Sequence, residues 1–305
     1  MIEILEFNDA ESLLDLLSPW GKSVNLSGFV FRGHSQESYQ LIPTALRQEC
    51  SEYFWKICGL GKPISDQHNW QTWQVKAEYT ILRSFYRLAD QRGLEVPTSP
   101  RVRSNLAQEF DVLGLSSVDQ PDTWIPSDLY ETAALAQHYG IPTRLLDWTY
   151  DLYVSLYFAA RGALGKSGNM VIWALNKEHL SFLKPTVNRI NVEFITPHYA
   201  GNPNLNAQKG LFTHWPISRP SIITEMQAFS TGNAKLIDRR SLDNLILERV
   251  RQCDDQTNLF KKFIIPCSEA EKLCKILDSL GYDSARVFPG YNGVADQLLN
   301  LHKYS

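Results

Sequence analysis

The chain has few cysteines, no long apolar run, no run of like charges and no low-complexity segment. Its five cysteines, Cys50, Cys58, Cys253, Cys267 and Cys274, are irregularly spaced, and none forms a C-x-x-C pair. That spacing argues against the common zinc frameworks, so no metal is expected. An odd, scattered set also argues against a disulfide scaffold and points to reduced thiols in a cytoplasmic protein. No stretch approaches the roughly 18 apolar residues of a membrane span, so no membrane partner is expected. Met1–Glu6 lacks the basic start and apolar core of a signal peptide. The net charge is −3, without a block of five or six like charges, which gives no sign of a polybasic nucleic-acid face.

What is present is ordinary globular material. Hydrophobic residues make up 44% of the 305, including eight Trp and thirteen Tyr. These side chains suit a large core, and also pockets that stack flat ligands. We read 1–305 as a single domain. Residues 2–7 alternate as a strand, and Asn8 or Asp9 can cap a helix over 10–18. Gly28–Gly33 reads as a strand that stops at Gly33. Residues 51–68 look irregular. Apolar positions 70, 73, 77, 81, 85 and 88 predict a long amphipathic helix. A further helix is expected near 101–113, and 51–125 as a whole reads as a helical insertion. Ser127 is expected to cap a helix to Tyr139, ended by Gly140 and Pro142. Asp147 or Thr149 would cap the next helix, about 150–161. Strands are expected at Met170–Leu175, 259–266 and 285–288, and an extended sheet-edge segment at 207–215. Asn176 caps a short helix to Leu183. A capping box at Ser268–Glu271 opens a helix to Leu280, and a last helix covers 293–301. Strands and helices mix without βαβ alternation, so the fold class is α+β: a small mixed or antiparallel sheet core with flanking helices.

The densest functional stretch is Leu135–Thr149, which gathers His138, Tyr139, Thr143, Arg144, Asp147 and Trp148. Asp147, among apolar neighbours, must be paired, hydrogen-bonded or neutral, and Arg144 is the nearest cation in sequence. His138 suits the negative end of its helix, and Trp148 suits the core. Arg32 sits at a strand end beside Gly33, where a glycine admits a second backbone or a ligand. Its guanidinium fork matches a phosphate, or a carboxylate such as Asp147 that would pin the loop to the sheet.

Four segments resemble the FRG domain family. Phe31-Arg32-Gly33-His34 is similar to the Phe-Arg-Gly motif that names it. Gln137-His-Tyr-Gly-Ile-Pro-Thr-Arg-Leu-Leu-Asp-Trp148 resembles its most distinctive block. Asn206–Thr213 and Phe288-Pro-Gly-Tyr-Asn-Gly293 look like two further signatures. The family occurs in bacteria, often in toxin or antiviral defence settings. Its arginine on a strand is similar to that of ADP-ribosyltransferase-like folds, which consume NAD; this step is analogy at the level of the fold.

The resemblance implies an ADP-ribosyltransferase or NAD glycohydrolase with NAD as substrate and a macromolecular target, protein or nucleic acid. Arg32, Tyr139 and Gln208 are the candidate catalytic residues. Arg32, Gly33, His34, His138, Tyr139, Thr143, Arg144 and Asp147 are the candidates for holding the nucleotide. Arg32 would take the pyrophosphate, Tyr139 would stack on a base, and His138 would reach a ribose hydroxyl. His34 would assist with the ribose or lie on the surface. Gln208 stands where a catalytic glutamate is common, with Glu193 and Glu225 as nearby acids. Two alternatives stay open: a non-catalytic nucleotide- or peptide-binding module, and a nuclease-type toxin using His138 or His34.

Overall fold

The computed structural model describes residues 1–18, 24–58, 69–104, 123–184, 190–218, 222–251 and 258–300. Strand β1 (Ile2–Glu6) leads into α1 (Ala10–Leu17), whose N-cap Asp9 accepts a hydrogen bond from the Ser12 amide. β2 (Phe29–His34) runs one residue past Gly33, where a stop was expected. α2 (Cys50–Cys58) is helical inside the stretch expected to be irregular, and 59–68 lie outside the described residues. α3 (Gln71–Gln91) is the expected long helix; of the apolar positions that predict it, Ala77 and Ile81 are buried, Trp73 and Phe85 are half-buried and Leu88 is exposed, while Val75, Tyr79, Leu82 and Tyr86 complete the buried face. α4 (Pro100–Ser104) is the described part of the helix expected near 101–113.

β3 (Thr123–Trp124) precedes a single 3-10 turn at Ser127–Leu129 and then α5 (Tyr130–His138). The turn displaces the helix start, and Ser127 makes no side-chain cap. The largest correction comes next. Leu146–Thr149 is a strand, β4, not the entry to a helix. Helix α6 (Leu152–Ala163) is capped by Asp151, which accepts from the Tyr153 amide at 3.1 Å, so neither Asp147 nor Thr149 is a cap.

β5 (Asn169–Asn176) ends on the residue that caps α7 (Lys177–Leu183). β6 (Glu193–Ile195), α8 (Pro203–Ala207), β7 (Gly210–His214), β8 (Ile217–Ser218), α9 (Ile222–Thr231), α10 (Leu242–Val250) and β9 (Phe260–Pro266) follow. α11 (Ala270–Ser279) starts after a 3-10 turn, and the expected capping box does not close. Glu269 instead accepts from the Ala10 amide at 3.1 Å, tying α11 to α1. The expected strand at 285–288 is helix α12 (Ser284–Val287), nucleated by Asp283, which accepts from the Arg286 amide at 2.8 Å. α13 (Tyr291–Asn300) closes the described chain.

Seven strands form one sheet in the order β1-β9-β5-β2-β4-β7-β6; β1 and β9 are parallel and every other pair antiparallel. β7 pairs on both sides, so Gly210–His214 is interior rather than at an edge. One sheet face, carrying Phe29, Phe31, Ile172 and Phe263, packs on α1, α6 and α11. The other, carrying Val30, Val171 and Trp173, packs on α7 and α10. α3 and α5 build a third cluster around Trp124 and Phe212. The architecture is α+β, with a mixed, mainly antiparallel sheet. Among the described residues no helix is long and apolar enough to cross a membrane.

Candidate functional site

β2 and β4 share a single residue pair, Phe31 with Thr149. Beyond it the two strands part. β2 continues through Arg32, Gly33 and His34 bonded only to β5, and β4 leads back toward the end of α5. A cavity of about 690 Å³ sits at this fork, within the range of small-ligand sites. Its walls include Arg32–Ser35 at the end of β2, Gln137–Tyr139 at the end of α5, Asp147–Thr149 on β4, and Asn202, Asn204, Leu205 and Gln208 around α8. Phe158 of α6, Phe288 after α12, and Thr44 and Arg47 also line it.

Arg32 bridges the fork. Its Nη1 donates to the Asp147 carbonyl at 2.8 Å and lies 2.7 Å from the Asp147 carboxylate, so the side chain supplies the link that the ladder lacks there. Nε donates to His34 Nε2 at 2.8 Å. Nη2 has no protein partner among the described residues, and the residue lines the cavity. Asp147 also lines it, with 61% of its side chain exposed. Partial desolvation by the surrounding cavity walls raises the Asp147 carboxyl. The charge of Arg32 and its hydrogen bond outweigh this, and hold the carboxyl below the usual aspartate value. Asp147 is therefore an anion, paired with Arg32 rather than with Arg144. Its Oδ1 accepts a long hydrogen bond, 3.4 Å, from Gln137 Nε2.

His34 is buried, not on the surface. Its Nε2 accepts from Arg32, so the proton sits on Nδ1, which donates to the Tyr39 carbonyl at 3.2 Å. Burial, followed by the adjacent Arg32 charge, pushes its pKa down to about 3. The ring is a fixed neutral acceptor that orients Arg32. His138 is likewise not a helix-capping cation. It is exposed at the helix end, partial desolvation lowers its pKa, and its Nε2 accepts from the Asn204 side chain at 3.1 Å. Tyr139 is 70% exposed at the rim, edge-on to His138 with ring centroids 5.1 Å apart.

Gln208 caps the C-terminus of α8 rather than lying in an extended segment. Its Nε2 donates to the Val287 carbonyl at 3.2 Å, and its own carbonyl accepts from the Thr149 hydroxyl at 2.6 Å. Lys209 then adopts φ +45, in the left-handed region. Its ammonium, 2.9 Å from the buried Asp151 carboxylate, secures that turn. Gln208 is thus held at the cavity wall from three directions.

Two predicted residues do not reach the cavity. Thr143 is buried, and its hydroxyl donates to Gln137 Oε1. Arg144 is buried against Glu78 of α3, with Nε 2.7 Å from Oε2 and 2.9 Å from Oε1. Both are bracing residues. Gly33 lines the cavity, but its missing side chain makes room for α6 and not for a ligand: a Cβ there would lie 2.0 Å from the Ser155 carbonyl oxygen. Trp148 is the expected core anchor, donating from Nε1 to Thr213 at 2.9 Å. Glu193 is engaged by the Tyr130 hydroxyl and does not line the cavity. The side chain of Glu225 lies outside the described residues. The sequence reading missed Arg47, Phe158 and Phe288 as lining residues; only the fold brings them to the fork.

The charged lining is thus Arg32, Arg47 and Asp147, with two neutral histidines, four carboxamides and exposed aromatic faces around them. Among the described residues no three His, Cys, Asp or Glu side chains are grouped to hold a metal ion. No curated protein and no solved structure matches the chain. Residues 27–167 match the FRG domain, a span that includes Phe31–His34 and Gln137–Trp148 and ends before Asn206. Both β2 and β4, the strands whose parting makes the cavity, fall inside that span, so the part of the chain that forms the fork is similar to the FRG domain.

Proposed function

We propose that the cavity binds NAD as substrate and breaks its nicotinamide–ribose bond, in the manner of ADP-ribosyltransferase-like enzymes. The observation that carries this reading is the polarity of the cavity. One part offers guanidinium donors, Arg32 Nη2 and Arg47. Beside them, joined to Arg32 through its Nη1, lie the exposed Asp147 carboxylate and the C-terminal, electronegative end of α5. NAD has the matching layout, an anionic pyrophosphate and a cationic nicotinamide ring. The exposed faces of Tyr139 and Phe158 suit stacking on its flat bases.

In this reading Arg32 holds a phosphate through Nη2. Gln208, its amide fixed by the Val287 carbonyl, keeps Oε1 for a ribose hydroxyl. When the C1′–N bond breaks, its electron pair leaves with the nicotinamide nitrogen, whose positive charge is lost. Positive charge develops on the ribose, where the Asp147 carboxylate stabilises it. A water or an acceptor hydroxyl then attacks C1′ and releases its proton to solvent. The family resemblance supports a setting as a bacterial toxin or defence effector.

Chromatographic detection of nicotinamide after incubation with NAD tests the chemistry. Release is expected from wild type and should fall at least about a hundredfold in Asp147→Asn, as for loss of one group stabilising a transition state. No release with wild type, with or without cell extract as acceptor, contradicts the reading. A second reading, a nucleotide-binding module without turnover, is favoured by one feature: no glutamate lines the cavity among the described residues. The nuclease alternative is left with His138 alone, because both nitrogens of His34 are engaged within the protein.

A further inference from the structure

Arg47 belongs to no segment that resembles the family signatures, yet it reaches the cavity. It follows the single turn Thr44–Leu46, which is anchored at two points. The Ala45 amide donates to the Thr143 carbonyl at 3.1 Å, and Gln74 of α3 donates to the Ala45 carbonyl at 2.8 Å. The Arg47 side chain is itself oriented by one hydrogen bond, from Nε to the Ile42 carbonyl at 3.2 Å. That bond leaves both terminal nitrogens without a protein partner, and no carboxylate pairs with Arg47 among the described residues.

The charge balance of the cavity follows. Asp147 is neutralised by Arg32 through Nη1. His34 stands close enough to feel the fields of both arginines, and it is neutral. The lining therefore carries one uncompensated positive charge, on Arg47, together with the free Nη2 edge of Arg32. A half-buried guanidinium with a free fork on a cavity wall presents two donors to an anion. Two separate donor edges around one neutral imidazole ask for two linked anionic groups.

We propose that Arg47 is a second anion anchor, and that Arg32 and Arg47 together select ligands carrying a diphosphate over those carrying a monophosphate. This rests on the nucleotide reading of the cavity and specifies the substrate class, a nucleoside diphosphate or a dinucleotide joined through one.

Calorimetric titration of the full chain with ADP-ribose, ADP, AMP and adenosine tests it. ADP and ADP-ribose should bind at least about tenfold more tightly than AMP, the scale of one charge-assisted contact. Arg47→Ala should abolish that preference and leave adenosine binding unchanged. Arg47→Lys keeps the charge without the fork, and should recover only part of the preference. It also serves if the alanine variant does not fold. Equal affinity of wild type for ADP and AMP overturns the inference, as does an Arg47 variant that binds ADP-ribose like wild type. If NAD binds and is cleaved but Arg47→Ala changes neither, the nucleotide reading stands and this inference fails. If ADP-ribose binds through Arg47 but NAD is never cleaved, the inference stands and the enzymatic reading fails.

Discussion

Glu78→Ala is expected to lower stability by about 3–5 kcal/mol, the scale of stripping one partner from a buried ion pair. The Glu78 carboxylate is buried and surrounded by donors. Arg144 Nε contacts both oxygens, Gln74 Nε2 donates to Oε1 at 2.9 Å, and Trp124 Nε1 donates to Oε2. Its removal leaves a guanidinium only 4% exposed with no counter-charge. That guanidinium already has one nitrogen, Nη2, buried without a partner, so it has little room to find another acceptor. Urea denaturation checks the expectation. The paired change Glu78→Leu with Arg144→Met should cost less than Glu78→Ala alone, because it removes both charges. A single variant within about 1 kcal/mol of wild type would mean that the pair is not desolvated as described. The network also matters for the cavity. Gln74 reaches both Glu78 and the Ala45 carbonyl, and Arg144 follows Thr143, whose carbonyl holds the Ala45 amide. The brace behind the site is thus the same structure that positions Arg47.

Gly33→Ala is the second large effect. A Cβ at Gly33 would lie 2.0 Å from the Ser155 carbonyl oxygen and 2.8 Å from the Ala159 nitrogen, both backbone atoms of α6. No rotamer relieves that contact. Either α6 or β2 must move, and both belong to the core of Phe31, Leu156 and Ile172. The cost should reach about 3 kcal/mol or more, the upper end for overpacking. Gly162→Ala is the internal control. Its Cβ would lie 2.8 Å from the Ser35 Cβ, a milder contact that a small shift of the bend after β2 relieves, so the loss should be clearly smaller. Thermal melts of the two variants side by side decide it, and equal melting points would contradict the account of Gly33.

What the sequence made legible was local. Asp9 and Asn176 cap their helices through bonds three residues away, and the period of α3 is visible in its own residues. Leu146–Thr149 was misread because four residues cannot display a period. Their strand state comes from pairing with β7, more than sixty residues away, Asp147 opposite Phe212. The same distance hid the partner of Arg144, which is 66 residues off rather than three. Two misses did carry local signals. Asn202 followed by Pro203 is a helix start, which would have set Gln208 at a helix end. Asp283 before Ser284 is another, and would have replaced the strand expected at 285–288. The candidate site was half visible. Arg32, His34, His138, Tyr139, Asp147 and Gln208 converge on one cavity, but their pairings turn His34 from a surface residue into the fixed acceptor that aims Arg32.

The central claim is that the fork between β2 and β4 is a nucleotide site, and a crystal structure of the protein soaked with ADP-ribose tests it most directly. The account predicts the diphosphate within hydrogen-bond distance of Arg32 Nη2, with the terminal ribose beside Asp147 and Gln208. A fully occupied ligand bound elsewhere, or an empty fork at saturating ADP-ribose, would contradict it.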